Sequence, residues 1–175
     1  MKIPQNFVVF SEYMNFYYVI ILGTFRQKED ELGICNFGEA ELVGKLTKLA
    51  SHMETNDGKN ASIGVMAPYR SQVSTLQKKL TTLPPSDIST VDQFQGRDKD
   101  VIIYSCTRTK VAKSGRKNAG SDIMSDWRRL NVAVTRAKAR LWMIGNVDTL
   151  KNYAPFKKLL DYLASKDLIF QLTDI

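Results

Sequence analysis

Short apolar runs alternate with amphipathic stretches along this chain, and the alternation predicts strands and helices in turn. Residues 38–53, GEAELVGKLTKLASHM, carry Leu42, Leu46 and Leu49 at helical spacing and read as an amphipathic helix. TNDGKN (55–60) supplies a turn, and SIGVMAPY (62–69) is a short apolar strand ending at Pro68. RSQVSTLQKKL (70–80) resumes a helix with Val73, Leu76 and Leu80 on one face, and LPPSD (83–87) breaks it. ISTV (88–91) and VIIYSCT (101–107) read as strands on either side of the polar loop DQFQGRDKD (92–100). A basic segment rich in Gly, Ser and Asn covers 108–122. A helix at 125–138, a strand at 140–146 and one or two helices over 148–165 complete the pattern.

Strands alternating with helices predict an α/β domain with a mainly parallel sheet. Ligands in such folds sit outside the carboxyl ends of the strands. APYR, DQFQGRD and TRTK each follow a predicted strand, so all three are expected along one edge. In DWRRLNVAVTRAK (126–138), Arg129 and Arg136 are seven positions apart and point within roughly 20° of each other on a helix. Trp127, Leu130, Ala133, Val134 and Ala137 fall on the other side, the side expected to pack. Taken alone, that is the pattern of an ordinary surface helix.

Residues 7–25 are strongly apolar, but their best uninterrupted segment, FYYVIILG, is short against the roughly 20 apolar residues of a membrane span. A buried strand around 16–22 is expected; a poorly integrated segment and membrane targeting are the alternatives. Composition narrows the field further. The 175 residues suit one domain, with 43% hydrophobic and 10% aromatic residues available for a core. Twenty-five Lys+Arg against 18 Asp+Glu give a formal charge of +7, which favours a polyanionic partner. Cys35 and Cys106 stand far apart, so no zinc site, iron–sulfur cluster or disulfide framework is expected. His52 sits in a polar stretch and reads as a surface residue rather than a general base.

Three segments carry a family resemblance. APYRSQ (67–72), STVDQFQGRDKDVII (89–103) and RRLNVAVTRAK (128–138) resemble motifs IV, V and VI of superfamily 1 helicases. The span 34–175 resembles the second RecA-like domain, in particular that of the bifunctional DNA helicase/nucleases of Okazaki-flap processing; 1–33 is set apart as an unmatched apolar segment. The resemblance implies a three-layer RecA-like α/β domain in a 5′–3′ motor of replication and repair, located in the nucleus and also the mitochondrion. By the same resemblance, Arg136 is an arginine finger, a group worth on the order of 10³–10⁵ in rate elsewhere. Arg70 is then a second phosphate-sensing arginine, because Phe37 fills the slot where some relatives place one in the Asn36–Ala40 element. Gln95, Gly96 and Asp98 are expected at the nucleotide. Thr90, Ser105, Thr107 and Arg108 are expected on the nucleic-acid backbone, with Lys110, Lys113, Arg116 and Lys117 adding a salt-sensitive term. Trp127 is expected to pack at the helix start, beneath a cap from Asp126 or Ser125.

The 175 residues contain no G-x-x-x-x-G-K-[ST] element and no Walker B strand. The resemblance therefore implies ATP bound between this lobe and a first RecA-like domain that holds Mg²⁺, and a chain inactive on its own. No metal ligand set is expected here. Single-stranded DNA is the expected partner. An RNA helicase of the same superfamily and a non-catalytic nucleic-acid-binding module are the competing readings.

Overall fold

A computed structural model describes residues 17–22, 27–30, 33–84, 87–110 and 123–171. Lys113, Arg116, Lys117 and residues 7–16 lie outside the described residues. The architecture is a RecA-like α/β domain built on a six-stranded sheet. In chain order its elements are β1 (Tyr17–Leu22), β2 (Lys28–Asp30), β3 (Gly33–Cys35), α1 (Phe37–Ala50), β4 (Ile63–Ala67), α2 (Arg70–Lys79) and β5 (Ile88–Thr90). Then come β6 (Lys99–Ser105), α3 (Trp127–Thr135), β7 (Ala137–Gly145), α4 (Val147–Leu150), α5 (Ala154–Ala164) and β8 (Ile169–Gln171).

The sheet runs β5-β4-β6-β7-β1-β8, and every neighbouring pair is parallel. Parallel strands are covered on both faces and so read as continuous apolar runs. All five residues of β4, IGVMA, are buried. Alternate side chains divide between two cores. Met66, Ile102, Tyr104, Leu141 and Met143 meet α3, α4 and α5, whereas Val65, Val101, Ile103, Trp142 and Ile144 meet α1 and α2. The result is three layers. The apolar N-terminal stretch supplies β1, paired between β7 and β8, so the expectation of a strand holds and that of a poorly integrated segment does not. No helix among the described residues is long and apolar enough to cross a membrane.

The helices start where the sequence provides caps. Asn36 Oδ1 accepts the Glu39 amide at 3.1 Å, Asp126 Oδ1 accepts that of Arg128 at 2.9 Å, and Asn146 Oδ1 accepts that of Thr149 at 2.8 Å. Pro155 opens α5, where a missing N–H costs nothing.

Four expectations need correction. α3 ends at Thr135 rather than 138, and β7 begins at Ala137 rather than 140. The cause is pairing with β6: the Lys99 amide donates to the Arg136 carbonyl at 3.1 Å and draws the chain out of the helix. Trp127 does not pack at the helix start but is 63% exposed, because the first side chain of a helix projects beyond its end; the Arg128 guanidinium lies 5.9 Å from the ring centroid. β8 and the antiparallel β2–β3 pair, three residues per strand, are too short to show in the hydrophobic pattern. Finally, the polar segments do not share one edge. APYR and TRTK follow the carboxyl ends of β4 and β6. DQFQGRD leaves the carboxyl end of β5 and arrives at the amino end of β6, which spans about 20 Å.

Candidate nucleotide and nucleic-acid site

The connection from β5 to β6 runs alongside α3, and both travel from the carboxyl to the amino ends of the strands. Phe94, fully buried, anchors it. Gly64 of β4 makes room for that ring, since a Cβ there would collide with Phe94 and approach Ile102 Cδ1 to 2.9 Å. An ion pair ties each end of the connection to the helix. Asp92 accepts Arg129 Nε at 2.9 Å and Nη2 at 3.1 Å, which holds the guanidinium pKa above its usual value. Asp98 Oδ1 pairs with Arg136 Nη1 at 2.9 Å. The seven-residue spacing of the two arginines thus matches two aspartates on one neighbouring segment. Asp98 pairs here and not with Lys99, whose amine goes to Asp87 at 2.8 Å.

Arg136 sits where helix gives way to strand. Its side chain is 23% exposed and that of Asp98 is 49% exposed, so both face solvent. Nη2 donates to Thr135 Oγ1 at 3.3 Å, while Nε is buried with no hydrogen-bond partner. A buried N–H without a partner is an unmet donor. Gln95 and Gly96 are exposed beside this pair. Gly96 has φ +80° with open space where a Cβ would stand, so the turn calls for glycine through its backbone angle.

At the carboxyl ends of the strands the expected nucleic-acid contacts are placed differently. Arg70, first residue of α2, is exposed and among the described residues has no hydrogen-bond or ion-pair partner; it lies at the end of the strands away from Arg136. Ser105 and Thr107, expected to touch a strand, are completely enclosed. Thr90 is nearly buried, and its hydroxyl donates to Gln93 Oε1 at 3.2 Å. Arg108 is 8% exposed; its Nε donates to Tyr69 Oη at 2.8 Å.

What encloses Ser105 and Thr107 is a polar network that the sequence pattern does not announce. Glu39, 1% exposed, accepts Ser105 Oγ at 2.6 Å and the Thr107 amide at 2.8 Å on Oε2, and Asn36 Nδ2 at 3.3 Å on Oε1. Asn36 Nδ2 also donates to the Thr107 carbonyl at 3.2 Å. Gln72 accepts the Asn36 amide at 2.8 Å and donates from Nε2 to Ser105 Oγ at 3.0 Å. Burial pushes the Glu39 carboxyl up to about 7, against the lowering effect of the Ser105 and Thr107 bonds. Tyr104 and Cys106, also pushed up by burial, stay neutral beside it. One signal is present in the sequence: Asn36-x-x-Glu39 ahead of an apolar helix has capping-box spacing. Here the glutamate reaches to the end of β6 instead of back to the cap amide.

No group of three or more His, Cys, Asp or Glu able to hold a metal occurs among the described residues. An arginine with an unmet N–H, a neighbouring carboxylate and an exposed glycine turn suit an anionic nucleotide arriving from outside the domain.

The chain is similar to the DNA replication ATP-dependent helicase/nuclease DNA2 of Xenopus tropicalis, at 41% identity over 149 residues, which is 83% of this chain and 13% of that protein. The human protein of the same name is 37% identical over 80% of this chain and 12% of its own length. That of Schizosaccharomyces pombe is 40% identical over 66% of this chain and 8% of its own. The chain thus spans only a small part of the curated relatives it matches. A family model described as an AAA domain matches residues 4–148, which takes in β1 as well as the motif-bearing elements, and the chain belongs to that family.

Proposed function

We propose that this chain is the second motor lobe of an ATP-dependent DNA helicase/nuclease acting in replication. ATP lies between it and a first lobe that carries the phosphate loop and Mg²⁺. Arg136 reaches the terminal phosphate as the arginine finger. The observation that carries this reading is the placement of its guanidinium, at the surface against Asp98, with Nε unpartnered. Gln95, Gly96 and Asp98 line the same wall, and Asp98 gives up its partner when phosphate oxygens take over Arg136.

The nucleic acid lies across the carboxyl ends of the strands. Contacts there come from Arg70, Arg108, Lys110 and the rim near Thr90. Because Arg70 is at the end of the strands away from Arg136, we assign it to a strand phosphate and no longer to the nucleotide. Ser105 and Thr107, turned inward, support the contacting loop from behind. The relatives' printed name speaks for DNA over RNA. A nuclear location follows from the proposed role.

The test is Arg136→Ala in the full-length parent protein. ATP turnover is expected to fall by on the order of 10³-fold or more, with single-strand affinity retained. Unchanged turnover removes the motor reading and leaves a binding module.

A further inference from the structure

We infer that Glu39 is a positioning residue for the loop after β6: it holds Thr107 in a turn that orients residues 107–110 toward the bound strand. The inference rests on the strand contact proposed above. Thr107 has φ +70°, and the Arg108 amide donates back to the Cys106 carbonyl at 2.7 Å. That is a three-residue γ-turn of positive φ, the rarer and more strained form. A β-branched residue is poorly suited to it. Such strain persists only where the surroundings over-determine it, and it gathers at functional sites.

Here the surroundings are explicit. Glu39 Oε2 takes the Thr107 amide at 2.8 Å and the Ser105 hydroxyl at 2.6 Å, gripping the chain on both sides of Cys106. Asn36 Nδ2 donates to the Thr107 carbonyl at 3.2 Å. Both backbone polar groups of the strained residue are therefore fixed by the Asn36–Glu39 pair at the head of α1. The turn in its grip sets the course of residues 108–110. Arg108 Nε reaches Tyr69 Oη at 2.8 Å, and the Thr109 and Lys110 amides donate to Gln27 Oε1 at 2.9 and 3.1 Å. Lys110 is left exposed at the rim. Capping α1 needs only Asn36, so the buried carboxylate is explained by the turn it holds and not by the helix it sits in.

The experiment uses the 175-residue chain, Glu39→Gln, Thr107→Gly and the double variant. Three readouts are taken: amide hydrogen exchange at Thr107 and Arg108, anisotropy of a fluorescein-labelled oligo-dT, and thermal unfolding. Glu39→Gln is expected to speed exchange at Thr107 and weaken oligo-dT binding roughly ten-fold, because the amide keeps one acceptor oxygen and turns an NH2 toward groups that donate to the carboxyl. Adding Thr107→Gly restores binding, because glycine adopts positive φ without being held. A purely structural role moves stability and binding together, with no such rescue. Unchanged Thr107 exchange in Glu39→Gln, or failure of the glycine to restore binding, overturns the inference. If the unaltered chain does not bind oligo-dT, the strand reading falls, while the exchange data still decide whether Glu39 holds the turn. Should Glu39→Gln not fold, Glu39→Asp, which keeps the carboxyl but draws it back by one methylene from the Thr107 amide, is read in the same way.

Discussion

The two ends of the parallel strands are built from similar polar residues and behave in opposite ways. At the carboxyl end, Asn36, Glu39, Gln72, Ser105 and Thr107 are all 0–1% exposed, and they take up one another's hydrogen bonds. At the amino end, Asp98 and Arg136 face solvent and leave a donor unmet. Breaking a buried network exposes every partner to the full cost of lost solvation, so it adopts one arrangement. A solvent-facing ion pair contributes about 0–1 kcal/mol and exchanges partners readily. One end is suited to holding a shape, the other to answering a ligand. Arg136→Ala separates them most sharply. In the parent protein it should lower turnover by on the order of 10³-fold, while the melting temperature of this lobe barely moves. Arg136→Lys should fail to rescue, since an ammonium lacks the planar fork; steady-state ATPase and calorimetry of both variants check this.

The rigid end makes the opposite prediction, a large stability effect with a pH signature. The Glu39 carboxyl is raised from 4.5 to about 7 by burial, so between those values the folded chain binds more protons than the unfolded one. Its contribution is fully present below about 4.5 and is lost as pH rises through about 7, on the order of 3 kcal/mol. Urea midpoints should fall across that window, and Glu39→Gln should flatten the decline. Tyr104 and Cys106, which lie on the opposite face of the sheet, are neutral throughout.

Between the two ends lies the β5–β6 connection, and Gly64→Ala tests whether its anchor matters. The new methyl would meet the Phe94 ring and Ile102 Cδ1. Overpacking of this kind costs about 1–3 kcal/mol. With Phe94 displaced, amide exchange at 95–98 should quicken, while exchange at Thr107 stays slow. Acceleration at both places would mean that the two ends are not independent.

The contrast between the ends also explains what is legible in the sequence. The core helices and strands show at once, because Leu42, Leu46, Leu76 and the runs IGVMA and VIIYS carry a periodicity that burial demands. Arg136, Asp98 and Gly96 come forward only through the family resemblance of the short segments that hold them, since the spacing taken alone reads as an ordinary surface helix. The Glu39 network does not come forward even then. Its members sit at 36, 39, 72, 105 and 107, and only the packing of α1 and α2 against the end of β6 brings them together. The same hydroxyls therefore read as strand contacts although they face inward. The reach of DQFQGRD from one end of the sheet to the other escapes for a related reason: a pattern shows that a loop comes after a strand, not where the next strand begins. Trp127 misleads more simply, since apolarity assigns it to the buried side of α3, whose first buried residue is Leu130.

The smallest predicted effect bears hardest on the comparison. Asp92 binds Arg129 at both carboxylate oxygens, a geometry that looks as firm as anything at the rigid end. Yet the two side chains are 59% and 36% exposed, and water stabilises the separated charges nearly as well. Asp92→Asn should cost no more than about 1 kcal/mol, less in roughly 0.5 M salt, where screening shortens the reach of the charges. Asp98→Asn should be as mild in unfolding experiments, but in the parent protein it should slow turnover by removing the carboxylate that holds the finger in place. Urea titrations at two salt concentrations measure the first effect and single-turnover hydrolysis the second. A loss of about 3 kcal/mol or more from Asp92→Asn, the scale of a broken buried pair, would show that a solvent-facing pair on the β5–β6 connection is as fixed as the network around Glu39, and the division between a gripping buried network and responding surface pairs would no longer hold.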